Sequence, residues 1–401
     1  MPFRFSSALS TERSTLGAAE ESARLLAAGL GGAPADIIVA FVTPHHAGRM
    51  EETLVEIHRV LKPKHLVGCL AQGVIESGRE VEEDAAISLW GASIPGVELT
   101  SAAVQAEETP DGLAFSGVPE IPDGPATLLL FGDPMQFPVL EFLARLAEDH
   151  PQLVVVGGMA SGLRNKTRKT LLLGEEFLEA GAVCAVLSGP LRVRPVVSQG
   201  CRPFGKHLVI TRATDDIIFE LGGKPAFERL KQEVGTLDAA EKKLAQKGLH
   251  LGRAIDASRS TFARGDFLIR NVVGIDPKQN AIQVGEQVRA GQTVQFHLRD
   301  AKSASEDLAE MLRSVKEAGF HADDASAARS GVRGALLFSC NGRGTYLFQR
   351  PDHDASTVQR ELGAIPLAGF FAAGELGPVG GRNFLHGFTA SVALFEENVT
   401  R

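Results

Sequence analysis

Largely apolar runs of five or six residues recur along this chain, at residues 37–42, 127–131 and 335–339. Each is too evenly apolar for a half-exposed strand and predicts a strand covered on both faces. Each leads into a polar loop, a helical pattern and a second apolar run that closes on Gly-x-x-Ala-x-Gly. The three closings are Gly68-Cys69-Leu70-Ala71-Gln72-Gly73, Gly157-Gly158-Met159-Ala160-Ser161-Gly162 and Gly369-Phe370-Phe371-Ala372-Ala373-Gly374. From the start of each run to its glycine motif is about 30 residues, the length of a βαβ unit.

Helical spacing of apolar residues predicts helices over residues 12–30, 49–61, 138–149, 227–246 and 305–318. Further strands are expected over 85–90, 170–173, 182–188, 193–198, 266–273, 281–284, 293–299 and 388–395. Residues 107–126, rich in proline and glycine, read as an exposed connection or an irregular hairpin. The pattern predicts an α/β fold: two domains built from repeated βαβ units with mixed, largely parallel sheets. The boundary is placed at Gly222-Gly223, giving domains of residues 1–222, internally duplicated, and 223–401.

Right-handed crossovers gather the strand-to-helix loops at the carboxyl edge of a parallel sheet, where open α/β sheets hold their ligands. Candidate ligand-binding residues are therefore Gly68, Cys69, Ala71 and Gly73 in the first repeat, and Gly158, Met159 and Ser161 in the second. In the third they are Cys340, Asn341, Arg343, Gly374, Glu375, Arg382 and Asn383. Glycine lets backbone approach a ligand, although small residues equally serve tight packing. Arg343 and Arg382 offer forked donors for a carboxylate or phosphate, and Glu375 an acceptor for an ammonium, a set suited to a zwitterion. The competing reading is salt bridges among these same residues. Cys340 and Cys69 are candidate nucleophiles, with His45, His46, His353 or His386 as base, against the tendency of free cysteine to be buried and inert. Residues 164–169 form the most basic stretch, able to hold an anion or simply solvated.

The chain has 401 residues, 44% apolar and 22% charged, an ordinary globular composition. A net charge of -8, with one Trp and one Tyr, argues against nucleic acid as partner. No apolar run is long enough to span a membrane, and the start lacks a secretory h-region. Four dispersed cysteines fit a reducing, cytoplasmic setting and no thiolate metal site. No P-loop or strand-to-helix Gly-x-Gly-x-x-Gly is present, so no cofactor is expected.

The segment Val197-Ser198-Gln199-Gly200-Cys201-Arg202-Pro203-Phe204-Gly205, followed by Glu220-Leu221-Gly222-Gly223-Lys224-Pro225-Ala226, resembles the end of a FIST N domain. The run Gly369 to Gly381, with Phe384-Leu385-His386-Gly387-Phe388-Thr389, resembles a FIST C domain, and the first two glycine motifs sit where that family's small-residue motifs sit. The resemblance implies a sensory module in signal transduction that binds small ligands such as amino acids. Family members are often joined to histidine kinase, diguanylate cyclase or chemoreceptor domains, and in eukaryotes to an F-box. Here the two FIST parts fill the chain, so the expectation is a stand-alone sensor with a separate signalling protein as partner. The alternatives are an enzyme using cysteine for acyl transfer or hydrolysis, and a protein-binding scaffold. The family supplies no settled catalytic residues.

Overall fold

Each of the three apolar runs is a strand, and each pairs in parallel with the strand that carries its glycine motif. The computed structural model describes residues 2–397 except 111, 163–168, 258, 260, 263, 264 and 321–330. Packing groups residues 1–197 and 308–401 in one unit and 198–307 in another.

Three modules build the first unit. The first runs β1 (Arg4–Ser10), α1 (Thr15–Gly29), β2 (Ile37–Val42), α2 (Met50–Leu61) and β3 (His65–Leu70). It ends with the hairpin β4 (Val74–Glu76) and β5 (Arg79–Val81), then β6 (Ile87–Ser93). The second runs β7 (Glu98–Thr109), β8 (Gly112–Ser116), β9 (Ala126–Gly132), α3 (Val139–Asp149) and β10 (Val154–Met159). Its hairpin is β11 (Leu171–Leu173) and β12 (Glu176–Leu178), followed by β13 (Ala182–Ser188). The third opens with β14 (Leu191–Ser198) and is then interrupted by the second unit.

That second unit is β15 (Cys201–Thr214), β16 (Ile217–Leu221), β17 (Lys224–Pro225), α4 (Ala226–Gly235), α5 (Ala239–Lys247), β18 (His250–Ala254), β19 (Phe267–Asp276), β20 (Ala281–Val284) and β21 (Thr293–Arg299). The third module resumes with α6 (Ala301–Phe320), β22 (Val332–Cys340), α7 (Gly344–Phe348), α8 (His353–Leu362) and β23 (Leu367–Ala372). Its hairpin is β24 (Glu375–Val379) and β25 (Arg382–His386), and β26 (Ala390–Glu397) closes it.

No module keeps its own hairpin. The sheet of the first module, β1-β6-β2-β3, is extended by β11-β12 of the second. That of the second, β8-β7-β13-β9-β10, is extended by β24-β25 of the third, and that of the third, β14-β26-β22-β23, by β4-β5 of the first. The exchange is cyclic.

The expected α/β class of repeated βαβ units with largely parallel sheets is therefore overturned. Strand makes up 44% of the structure and helix 26%, one parallel pair is found in each of the three sheets among the described residues, and the other pairings of resolved register are antiparallel. The second unit closes six strands, β15-β21-β18-β19-β20-β16, into an antiparallel barrel through the β15–β16 pairing. The crossover in each module is real, but it accounts for two strands of each sheet.

The apolar runs are continuous because both faces are covered. One face of each three-module sheet joins a shared core that includes Phe41, Phe131 and Phe338, all fully buried. Registers make these three phenylalanines equivalent, one step past the residues facing Gly68, Gly157 and Gly369. Their ring centroids form a triangle of 5.5, 6.0 and 6.5 Å, mostly edge to face. The other faces lie under helices: α1 and α2 on the first sheet, α3 on the second, α6 and α8 on the third. The barrel has its own core, including Phe204, Ile210, Ile282 and Phe296, together with Leu230 of α4 and Ala245 of α5.

The first glycine of each motif has a specific structural role. A Cβ at Gly68, Gly157 or Gly369 would overlap the carbonyl oxygen of the residue facing it, Ala40, Leu130 or Leu337. Gly369→Ala should thus destabilise by about 3 kcal/mol, the cost of overpacking against immovable backbone. Gly48→Ala, whose Cβ meets nothing within 4 Å, should change stability by less than about 0.5 kcal/mol. Chemical denaturation of both variants checks this; equal stabilities would remove the strand-contact argument.

Candidate functional site

Beyond β3, β10 and β23 the three glycine motifs meet and bond to one another. The amides of Ser161 and Gly162 donate to the Leu70 carbonyl at 3.2 and 3.3 Å, and that of Ala373 to the Met159 carbonyl at 3.0 Å. Met159 N–H donates to the Gly374 carbonyl at 2.8 Å, and Phe371 N–H to the Gly73 carbonyl at 3.0 Å. At the third junction a side chain completes the ring: the Ser161 hydroxyl accepts from the Gln72 amide at 2.9 Å and donates to the Phe371 carbonyl. Ala71, Ala160 and Ala372 are wholly buried there. Added Cβ atoms at Gly73, Gly162 and Gly374 would press on Phe371, Leu70 and Leu385 respectively. Cys69 faces Phe41, and Gly158 leaves room for the Phe370 ring. Burial pushes the Cys69 thiol well above its usual range, which disfavours the thiolate.

The third carboxyl edge carries a buried ion pair. Cys340 ends β22; its carbonyl accepts from Arg343 N–H at 2.8 Å in a tight turn, while Asn341 N–H donates to the Ala372 carbonyl at 2.9 Å. Arg343 is fully buried. Its Nε and Nη2 donate to the Asp354 carboxylate at 2.6 and 2.8 Å, and that carboxylate also accepts from Ser339 Oγ at 2.7 Å. His353 Nδ1 lies 2.8 Å from the same carboxylate. Phe348 stacks on the His353 ring and lies under the Arg343 guanidinium. Burial opposes the charged Asp354, but the guanidinium overrides it and holds the carboxyl well below its usual range. Glu375, also fully buried, accepts from Thr389 N–H and Oγ at 3.0 and 2.6 Å.

The first module's hairpin reaches this place too. Glu80 Oε1 accepts from the Ala355 amide in the first turn of α8 at 2.8 Å, and Glu82 accepts from Thr345 N–H and Oγ at 2.8 and 2.9 Å. Burial, then the Asp354 charge, pushes the Glu80 carboxyl up to about 8.

Of the residues singled out in the sequence, Cys340, Asn341, Arg343, Gly374 and Glu375 lie at this edge. Arg382 and Asn383 do not: Arg382 pairs with Val379 at the far end of the β24-β25 hairpin from Glu375, about 13 Å along the strand. The Asn383 side chain there bonds to Val155 N–H and the Leu153 carbonyl. Residues 164–168 of the basic stretch lie outside the described residues. His353, a candidate base in the sequence, lies here against Asp354; Asp354, Ser339, Thr389 and Glu80 are the groups that sequence reasoning missed. The triplet Asp352-His353-Asp354 opening a helix was the available signal.

The other two edges are polar but internally satisfied or uncharged. Asp133 caps its own loop through Met135 and Gln136 amides and takes the Thr170 hydroxyl. Thr43 bonds to the Ala86 amide, and the buried His46 faces the Thr15 hydroxyl. Among the described residues no three His, Cys, Asp or Glu side chains form a metal-ligand set, and no helix is long and apolar enough to cross a membrane.

Architecture and sequence define one class. The family model described as the FIST N domain matches residues 36–224, and that of the FIST C domain residues 226–378. The chain belongs to the FIST family. It is similar to an uncharacterized protein of Mycobacterium tuberculosis, 40% identical over 378 residues, 94% of this chain and 95% of that one. Another, from Mycobacterium bovis, is 38% identical over 370 residues, 92% and 93% of the two chains. FIST domains are associated with signal transduction and small-ligand sensing.

Two measurements test the polar cluster. Asp354→Asn leaves a buried guanidinium uncompensated and should cost about 3–5 kcal/mol in denaturant unfolding; a loss below about 1 kcal/mol would contradict the pairing. Glu80 binds its proton more tightly folded than unfolded. Its contribution is therefore full below its unfolded value, near 4.5, and is lost as pH rises through about 8. Glu80→Gln should flatten the fall in melting temperature across that window, a slope of at most ~1.4 kcal/mol per pH unit. An unchanged slope would place the titration elsewhere.

Proposed function

We propose that this chain is a cytoplasmic small-ligand sensor that takes an amino-acid-like metabolite at the carboxyl edge of its third module and passes the signal to a separate protein. The observation that carries the reading is Arg343. Two of its nitrogens bond to Asp354, while Nη1, fully buried, has no hydrogen-bond partner among the described residues. An unsatisfied buried donor of this kind is costly, and a ligand carboxylate would satisfy it. Glu375, of opposite charge, lies close enough to act on Arg343 electrostatically, and the exposed Asn341 opens the edge to solvent. Cys340 and Gly374 line the same place, whereas Arg382 and Asn383 contribute from the hairpin only if the ligand is long. Burial, which pushes the Cys69 thiol up and disfavours its thiolate, favours binding over nucleophilic catalysis at that cysteine.

A thermal-shift screen of the full chain against the standard amino acids and small carboxylates tests the proposal. A ligand at 100 times its dissociation constant adds about 2.7 kcal/mol, readily seen as a raised melting temperature. Arg343→Lys, which keeps a charge beside Asp354 but lacks Nη1, should abolish the shift while Arg382→Ala retains it. No shift with any compound, or a shift untouched by Arg343→Lys, would refute the site.

A further inference from the structure

The barrel unit carries a groove that the reading above does not use. Helices α4 and α5 pack over the barrel core, with Leu230 and Ala245 buried in it. Between them opens a groove of about 300 Å³, lined by Phe227, Leu230, Val234, Ala245, Leu249 and Ile275, with Gln246 beside them. Among the described residues, the charged ones that line it are Lys231 and Lys242. Both lysines are exposed, and neither makes an ion pair among the described residues. Five of the barrel's arginines differ from them: Arg202, Arg212, Arg253, Arg259 and Arg270 are tied to carboxylates. In a chain of net charge -8, an apolar floor with two uncommitted cations and no acid on its rim is a local reversal of sign.

We propose that this groove binds a medium-chain alkyl carboxylate, the chain on the apolar floor and the anionic head between Lys231 and Lys242. The volume limits the occupant to a small one: about 300 Å³ suits an acid of medium chain length, and an eight-carbon acid represents the class. The volume is at the low end of small-molecule pockets, where an apolar body and a few placed polar groups are the rule. The lysine heads suit the anion because each is a compact charge on a flexible stem that lies along apolar surface; Lys231 Nζ already rests 4.8 Å from the Phe227 ring. The occupant would touch Leu230 and Ala245, which belong to the barrel core, so binding is coupled to barrel stability.

Sodium octanoate, titrated into the full chain by calorimetry with parallel melting curves, is the test. Expected are saturable binding of one octanoate and a raised melting temperature, with clearly weaker binding of butyrate and of octanol. Lys231→Gln with Lys242→Gln should weaken octanoate roughly five- to tenfold and leave octanol unchanged. Val234→Trp, which fills the groove, should abolish both. The lysine pair is exposed, so its variant keeps the test open should Val234→Trp fail to fold. Absence of saturable octanoate binding overturns the proposal, and so does binding indifferent to the lysine substitutions. A dimer that Val234→Trp converts to monomer would assign the groove to a second copy of the chain and equally overturn it.

Discussion

Everything in the three-module unit depends on a strand pair drawn closer than a Cβ allows. Gly68, Gly157 and Gly369 each stand where a side chain would overlap the carbonyl of the facing strand. The strand that follows can then bring its motif against the next one, and the segment beyond pairs with a neighbouring module. Because the hairpins are passed around a ring, no module completes its own sheet. Removing one hairpin exposes an edge in one sheet and strands two short β-segments from another, which are unstable alone. The modules are therefore one cooperative body rather than three repeats in a row, unlike a solenoid in which each repeat touches only its neighbours.

Backbone equivalence coexists with chemical divergence. The phenylalanine triangle is common to all three modules, yet the residues facing those rings are Cys69, Gly158 and Phe370. One large ring beside a thiol and a bare backbone position fills a centre too small for three. The carboxyl edges diverge further: a threonine and histidine in the first, an aspartate closed on its own loop in the second, and a buried arginine pair in the third. Glu80 and Glu82 deepen that difference, since the exchanged hairpin delivers two carboxylates to the third edge. Buried charge at that edge rests on the Arg343–Asp354 pair, whose desolvation cost is offset by their mutual pairing, while the Glu80 carboxyl, pushed up to about 8, holds its proton beside it.

The strands with two covered faces were legible because both covers are apolar, and residues 37–42 lie where they were expected. The helices at 50–61 and 139–149 followed from their spacing. The exchange of hairpins was not legible: β4, β5 and β12 are three residues each, too short for a period to register, and β11, expected as a strand over 170–173, gave no sign of the sheet it joins. Missing that exchange is what made the sheets look parallel, since the visible crossovers were extended to strands that come from elsewhere. Among the site residues, Arg343 was visible as a cation after a strand, but Asp354 was not visible as its partner. The pair is eleven residues apart, and the turn at Arg343 together with α7 folds the chain back. Glu80, more than 270 residues from Ala355, lies beyond any local pattern.

The barrel's place in the chain argues how such a unit can carry an addition. It stands between β14 and α6, where the first module passes directly from β1 to α1. At its two ends the Ser198 hydroxyl donates to the Asp307 carboxylate at 2.7 Å, both buried. An insertion whose ends are clasped together asks nothing of the strand order around it, which is why the third sheet keeps the order β14-β26-β22-β23 matching β1-β6-β2-β3. The family boundary between residues 224 and 226 then falls inside the barrel. It leaves β15 and β16 on one side, and their partners β21 and β20 on the other. Neither family domain contains the strands to close that barrel alone, so the two are halves of one folding problem, and their occurrence in tandem is a physical requirement of the barrel.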